Sequence, residues 1–352
     1  MSLASIFHFT HFRAGIRMKT DSQIASLGQE TPVASLPAAL REIWASNEAM
    51  TKASLINFAI YSERAGSLEE NSALMQEVAG EHACRAILIA AEPYDEEARV
   101  RAWITAHCHT GGAGGNSICS EQIALRLTGR VRDALRNLLF AHLESDLPLV
   151  FFWQGDFTGR WEPHLFRRIN RLIIDSTTWS NPASQLEKLR SAWRDTNSHF
   201  VVLDLAWIRI FPFRQALAGV FDIALAKENL CKLNAISITH APGHRVSAAL
   251  LASWIAYRAG WSLDADERAF IEEEGAPLAR LVLHGSGPCR IEISREPGSA
   301  FLTSRILGVP HEASQVSPAV ADDLASLVSE RLNRGGNTQL YFKLWRQAAA
   351  WL

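Results

Sequence analysis

The residues best equipped for chemistry gather between positions 100 and 128, in the stretch VRAWITAHCHTGGAGGNSICSEQIALRLT. His107 and His109 lie two apart, a spacing that can ligate zinc. The sequence fixes no third ligand, so no metal is assigned. Cys108 and Cys119 offer a redox-active or regulatory thiol pair, against the alternative of two buried, inert thiols. Gly111, Gly112, Gly114 and Gly115 could present bare backbone N–H groups to a phosphate, or simply turn the chain. This is not a Walker loop, because no Gly-Lys-Ser/Thr follows. Nor is it a dinucleotide fingerprint: the third glycine is missing, and a strand pattern follows where a helix should. Glu121 and Gln122 complete the group.

Further candidates stand downstream. Asp156, Asp175 and Asp204 each follow or close a strand-like run, and open α/β sheets bind ligands beyond the carboxyl ends of their strands. Aspartate also favours turns and helix caps, so both roles are open. Positions 207–214, WIRIFPFR, interleave aromatic residues with Arg209 and Arg214. Such a segment suits stacking on a nucleic acid, anchoring a protein partner, or a core turn with satisfied arginines. No Ser-His-Asp constellation stands out, and no catalytic residue is assigned.

Periodicity indicates the elements that must position these groups. Val100, Ala102, Ile104, Ala106 and Cys108 alternate with polar residues. After the glycines, Cys119, Glu121, Ile123, Leu125 and Leu127 do the same, which predicts two strands with one buried face. Paired as a hairpin, they set Cys108 and Cys119 beside the turn and aim Glu121 into the apolar face. An unpaired carboxylate would be costly there. Upstream, helices are expected at 38–44 and 68–79, with an apolar run of strand length at 55–62 and a strand buried on both sides at 85–91, a βαβ arrangement. Downstream, helices are expected at 131–143, 185–194, from 213 onward, at 246–259, at 319–332 and in the tail. Strands fall at 147–153, 171–175, 200–205 and 235–240, followed by a meander over 278–284, 290–295 and 300–306. The expected fold class is therefore α/β in two parts. Positions 1–50 are an extension and short helix, and 51–145 an N-terminal α/β domain containing the glycine-rich hairpin. Positions 146–352 are a C-terminal α/β domain ending in an antiparallel meander and helices.

The 352 residues allow about two domains, with 48% hydrophobic and 20% charged residues and ample material for a core. A net charge of -2 argues against a broad nucleic-acid surface. No apolar run is long enough to span a membrane. Five scattered cysteines, an odd number, suit a reducing compartment and point to the cytoplasm. The first residues read as no secretory signal; the lack of acids before Asp21 leaves a transit peptide open, and Met18 is an alternative start.

Five ordered segments resemble the OpcA family, the glucose-6-phosphate dehydrogenase assembly proteins. They are positions 100–129, LPLVFFWQGD at 147–156, RLIIDS at 171–176, DLAWIRIFPFRQALAGVFD at 204–222 and LLASWIAYRAGW at 250–261. Family members often have paired cysteines where this chain has Cys119-Ser120. The resemblance implies a non-catalytic helper with no cofactor of its own. Its partner would be glucose-6-phosphate dehydrogenase, the entry enzyme of the oxidative pentose phosphate pathway, whose active oligomer it would promote. Two rivals remain open. One is a sugar-phosphate or nucleotide-binding enzyme using the glycine loop and the strand-end acids. The other is a thiol switch at Cys108 and Cys119.

Overall fold

The structure is a computed structural model and describes residues 27–45, 50–110, 117–158, 162–197 and 199–352. Gly111, Gly112, Gly114 and Gly115 lie outside the described residues, as do Met18 and the rest of the stretch before Leu27.

The first sheet contains β1 (Gln29–Glu30), β2 (Met50–Lys52), β3 (Ile56–Ser62), β4 (Cys84–Glu92), β5 (Arg99–Thr110), β6 (Ser117–Thr128), β7 (Leu149–Trp153), β8 (Ile169–Ile174) and β9 (Val201–Asp204). Their order is β1-β5-β6-β4-β3-β7-β8-β9, with β2 beside β6. From β6 through β9 all neighbours run parallel. At the other end β5 and β1 pair antiparallel. The near-continuous apolar runs are explained by burial on both faces. Ala59, Tyr61, Ile87, Ile89, Phe151 and Trp153 feed one core. Their neighbours Phe58, Ile60, Ala86, Leu88, Val150 and Phe152 feed the other. The expected βαβ unit is present as β3, α2 (Ser67–Val78) and β4. The sheet crosses positions 145 and 146 without interruption, because β3 pairs directly with β7.

The second sheet contains β10 (Leu233–His240), β11 (Arg268–Glu272), β12 (Leu278–Gly285), β13 (Arg290–Ser294), β14 (Phe301–Leu307) and β15 (Ala313–Pro318), in the order β11-β10-β12-β13-β14-β15. The expected meander is its β12–β14 portion, antiparallel throughout. Two strands were not expected. β11 is largely exposed, with Ile271 open to solvent, and so lacks a one-sided alternation. β15 forms where a helix from position 319 was expected to follow directly.

The remaining helices are α1 (Leu36–Ala45), α3 (Leu135–Ala141), α4 (Pro163–Phe166), α5 (Pro182–Asp195), α6 (Leu205–Arg209), α7 (Phe211–Val220), α8 (Ala224–Asn229), α9 (Arg245–Ala259), α10 (Leu324–Asn333) and α11 (Thr338–Ala349). Helix α10 starts later than periodicity suggests. The Asp323 carboxylate accepts from the Ser326 N–H at 2.8 Å and fixes the first turn. The helix expected over 131–143 is shortened, because a tighter 3-10 turn occupies Gly129–Ala134. Pro212 sits in the first turn of α7, where its missing N–H costs nothing.

The outer edge of β9 is covered from the far end of the chain. The Val202 N–H donates to the Thr338 hydroxyl at 3.0 Å. Gly336 lies so close that a Cβ there would meet Val201 Cγ1 at 2.8 Å and the Val202 carbonyl oxygen at 3.1 Å. Only glycine allows that approach.

Candidate functional site

The two strands pair as the expected hairpin, in a register that sets Cys108 opposite Cys119 and Ala106 opposite Glu121. The expectation of a single buried face is corrected. Trp103, Gln122 and Ala124, on the supposedly open side, are as buried as Ile104 and Ile123. The reason is α2, whose Leu68, Leu74, Met75 and Val78 cover that side. The two cysteines are not inert buried thiols either. They are joined as a disulfide, with Cys119 buried and Cys108 exposed. Cys84 stays a thiol, and burial pushes it up to about 12.

Glu121 is 1% exposed and sits among compensating charges. Trp44 Nε1 from α1 donates to it at 2.9 Å. Arg85 Nη1, at the start of β4, stands 2.8 Å away, and Lys52 Nζ from β2 3.0 Å. The same two cations hold Glu144, at 2.5 Å and 2.7 Å. Its hydrogen bond from Lys52, outweighing burial, keeps the Glu144 carboxyl below the usual range. Burial works against the Lys52 charge, but Glu144 and Glu121 prevail and its pKa is raised. This is a closed set of two acids, two bases and an indole donor tying three strands and α1 together.

On the other side of the hairpin, His107 Nε2 lies 2.9 Å from Gln122 Oε1. Gln122 Nε2 donates to the Ser72 hydroxyl of α2 at 2.9 Å. The chain of donors assigns the proton of the neutral ring to Nε2. Burial, with a contribution from nearby His109, holds the His107 pKa below its ordinary value, while Gln122 opposes this. No group of three or more potential ligands able to hold a metal occurs among the described residues.

The strand order reverses between β3 and β7, where open α/β sheets form their ligand crevices. A cavity of about 520 Å³ lies there, lined in part by Ser62, Arg64, Gln154, Asp156 and Asp175. These polar groups are engaged with the fold itself. The Gln154 and Asn71 amides bind each other reciprocally at 2.8 and 3.1 Å. Asp156 accepts from the Ser180 N–H at 3.0 Å and from its hydroxyl. Asp175 forms a two-pronged pair with Arg209 at 2.9 and 2.8 Å and caps Thr177. Burial would raise the Asp175 pKa, but Arg209 and Thr177 outweigh it and hold it low.

Asp204, at the end of β9, is wholly buried. It accepts from the Ser176 N–H and hydroxyl at 3.0 and 2.6 Å, from Ala206 N–H at 3.0 Å and from the Tyr341 hydroxyl at 2.9 Å. Trp345 Nε1 in turn donates to Tyr341 at 2.7 Å. Burial, then the neighbouring Asp175, raise the Asp204 pKa. The fold thus brings Asp175 and Asp204 together at adjacent strand ends and spends both on caps and core hydrogen bonds. Arg209 belongs to this polar core.

Arg214 differs. Its guanidinium carbon sits 4.0 Å from the centre of the Trp207 ring, 5.4 Å from Phe211 and 5.8 Å from Trp254 of α9. Its one hydrogen bond is a long one, 3.4 Å, to the Trp207 carbonyl. Among the described residues no carboxylate pairs with it. Burial, then the like charges of Arg331 and Arg334, pull its pKa down to about 9, which leaves it cationic at neutral pH.

Two profiles match the chain in succession. The first, described as the glucose-6-phosphate dehydrogenase subunit N-terminal domain, covers residues 75–191. The second, described as the C-terminal domain of that subunit, covers residues 201–345. The chain belongs to the OpcA family. It is 26% identical over 198 residues to an OxPP cycle protein OpcA of Synechocystis sp., covering 55% of this chain and 40% of the relative. It is 23% identical over 302 residues to the OpcA protein of Synechococcus elongatus, covering 75% of this chain and 66% of the relative. Both alignments therefore span less than two thirds of the curated relatives' length. Among solved structures, an aldose-aldose oxidoreductase from Caulobacter crescentus is 11% identical, over 84% of this chain and 98% of that one. At a TM-score of 0.39 it carries no inference. No helix among the described residues is long and apolar enough to cross a membrane.

The partners of the sequence-predicted groups were the part that sequence reasoning missed. Trp44, Lys52, Arg85 and Glu144 around Glu121, Ser72 beside Gln122, and Ser176 and Tyr341 around Asp204 come from distant segments. One signal was readable: an arginine at the mouth of the apolar run at 85–91, next to an acid forced inward on the hairpin.

Proposed function

We propose that this chain is a non-catalytic subunit that assembles with glucose-6-phosphate dehydrogenase in the cytoplasm and favours its active form, in support of the oxidative pentose phosphate pathway. The observation that carries this is the ordered match of both parts of the chain to the two domains of a glucose-6-phosphate dehydrogenase subunit. The chemistry of the candidate groups supports it. His107, Asp156, Asp175 and Asp204 are each engaged by neighbours within the fold, which suits a scaffold better than a reaction centre.

An activator must bind the active state of its target better than the inactive one. A difference of about 1–3 kcal/mol shifts the target's affinity roughly 5- to 150-fold. The direct test follows the kinetics of the same organism's dehydrogenase at fixed glucose 6-phosphate and NADP, with and without this protein, alongside size-exclusion chromatography of the mixture. Activation together with a larger complex is expected. Unchanged kinetics and separate elution would overturn the reading.

A further inference from the structure

Burying a cation without an anion is costly, because water is lost and nothing replaces it. Elsewhere this fold mostly meets that cost with carboxylates, although the more deeply buried Arg331 has only the Gly335 and Val202 carbonyls. Arg85 and Lys52 have Glu121 and Glu144, Arg209 has Asp175, and Arg334 has Glu330. Arg214 has aromatic rings and one long carbonyl contact instead. Its surroundings add positive charge, since Arg331 and Arg334 both act on it. Arg334 lies 3.8 Å over the Phe211 ring, against the same aromatic residue that Arg214 faces.

The site is reachable. Arg214, Trp207, Phe211 and Trp254 are each half-buried. One turn along α9 from Trp254, Tyr257 is 42% exposed. Tryptophan and arginine, gathered in one partly open cluster, are among the residue types that dominate binding energy at protein interfaces. Stacking on Trp207 holds the guanidinium in place beforehand, so little side-chain freedom is lost when an anion arrives. A planar guanidinium with unused N–H groups matches the two oxygens of a carboxylate.

We propose that this aromatic-lined arginine receives an acidic side chain of glucose-6-phosphate dehydrogenase, with Trp207, Phe211 and Trp254 forming the apolar rim that excludes water. The inference rests on the assembly reading above and gives that interface its centre. It also carries a consequence that a purely structural arginine would not have. Removing Arg214 weakens the complex while leaving the isolated chain as stable as before, or more so.

The test compares the wild-type chain with Arg214→Met and Arg214→Lys. The readouts are the affinity for the same organism's dehydrogenase, by titration calorimetry, and the melting temperature of each free chain. Arg214→Met is expected to bind about thirty-fold or more weakly, with a melting temperature equal to or above wild type. Arg214→Lys keeps the charge without the planar fork and should fall between. Sodium phosphate at matched ionic strength serves as a third probe. If Arg214→Met binds like wild type, the proposal falls while the assembly reading stands. If the variant melts several degrees lower, the arginine is a structural residue and the proposal also falls. If phosphate stabilises wild type alone and dehydrogenase binding is unaffected, the site takes a free anion and the docking role is overturned. If wild type itself fails to bind the dehydrogenase, both readings fall together.

Discussion

Glu121 and Arg214 are both charges withdrawn from water, and the fold treats them in opposite ways. Around Glu121 an indole, a guanidinium and an ammonium converge from α1, β4 and β2. Around Arg214 three aromatic rings supply a weak attraction, two further arginines repel, and no described carboxylate answers. A cation–π contact contributes about 0.5–2 kcal/mol, far less than the desolvation of a guanidinium. The first arrangement is self-sufficient and holds the hairpin onto the parallel sheet. The second is incomplete on its own terms, which is how a surface kept for an interface differs from one built for stability.

That contrast can be broken most forcefully at Arg85. Arg85→Met leaves Glu121 buried with only Lys52 and Trp44. It should cost about 3 kcal/mol in urea unfolding. A cost under about 1 kcal/mol would mean the Glu121 cluster is no better compensated than Arg214. Opening the disulfide comes next. It closes a short loop at the mouth of the hairpin, so Cys108→Ser together with Cys119→Ser should cost about 2 kcal/mol. Because the rest of the hairpin is buried, faster hydrogen exchange should be confined to the ends of β5 and β6 near the turn. Exchange spreading to β4 would show that the cross-link carries the sheet.

A smaller effect comes from pH. Burial is the leading reason that His107, His142 and His244 all have lowered pKa values. A histidine held low binds fewer protons folded than unfolded. Its contribution is therefore complete above the unfolded value of about 6.5, and is lost as pH falls through the folded value. Stability should decline from pH 7 toward pH 5, and His107→Gln should make the decline shallower. The smallest stability change belongs to Arg214→Met, within about 1 kcal/mol of zero or stabilising, which makes it the sharpest contrast with Arg85→Met.

Local pattern made the hairpin readable. Period two puts Cys108 and Cys119 on the same face beside the turn and turns Glu121 inward, while their direct opposition is set by the pairing of the folded strands. The apolar run at 85–91 likewise announced a strand buried on both sides, and the run at 55–62 a strand. Asp156, Asp175 and Asp204 could be located but not assigned, because capping and ligand binding use the same residue at the same place. Ser180, Thr177 and Ser176 decide it, and only folding brings their hydroxyls and N–H groups to the acids. The isolation of Arg214 was unreadable for a related reason. It depends on which charges α10 and the residue after it bring, more than a hundred residues later: Arg331 and Arg334 act on Arg214, while Glu330 is taken by Arg334. β15 was obscured because its alternation of half-buried and exposed residues gives no apolar stripe.

The covering of β9 by residues from Gly336 to Thr338 also sets an order of events during synthesis. When Asp204 leaves the ribosome, the edge of β9 has bare N–H and C=O groups. The residues that cover it are still untranslated. At typical elongation rates the wait is on the order of ten seconds. Through that interval the nascent chain exposes an apolar parallel edge, the kind of template on which unfinished chains pair with one another. A chain stopped before Gly336 would keep that edge permanently, so its hazard is clumping on the polysome rather than loss of any single contact.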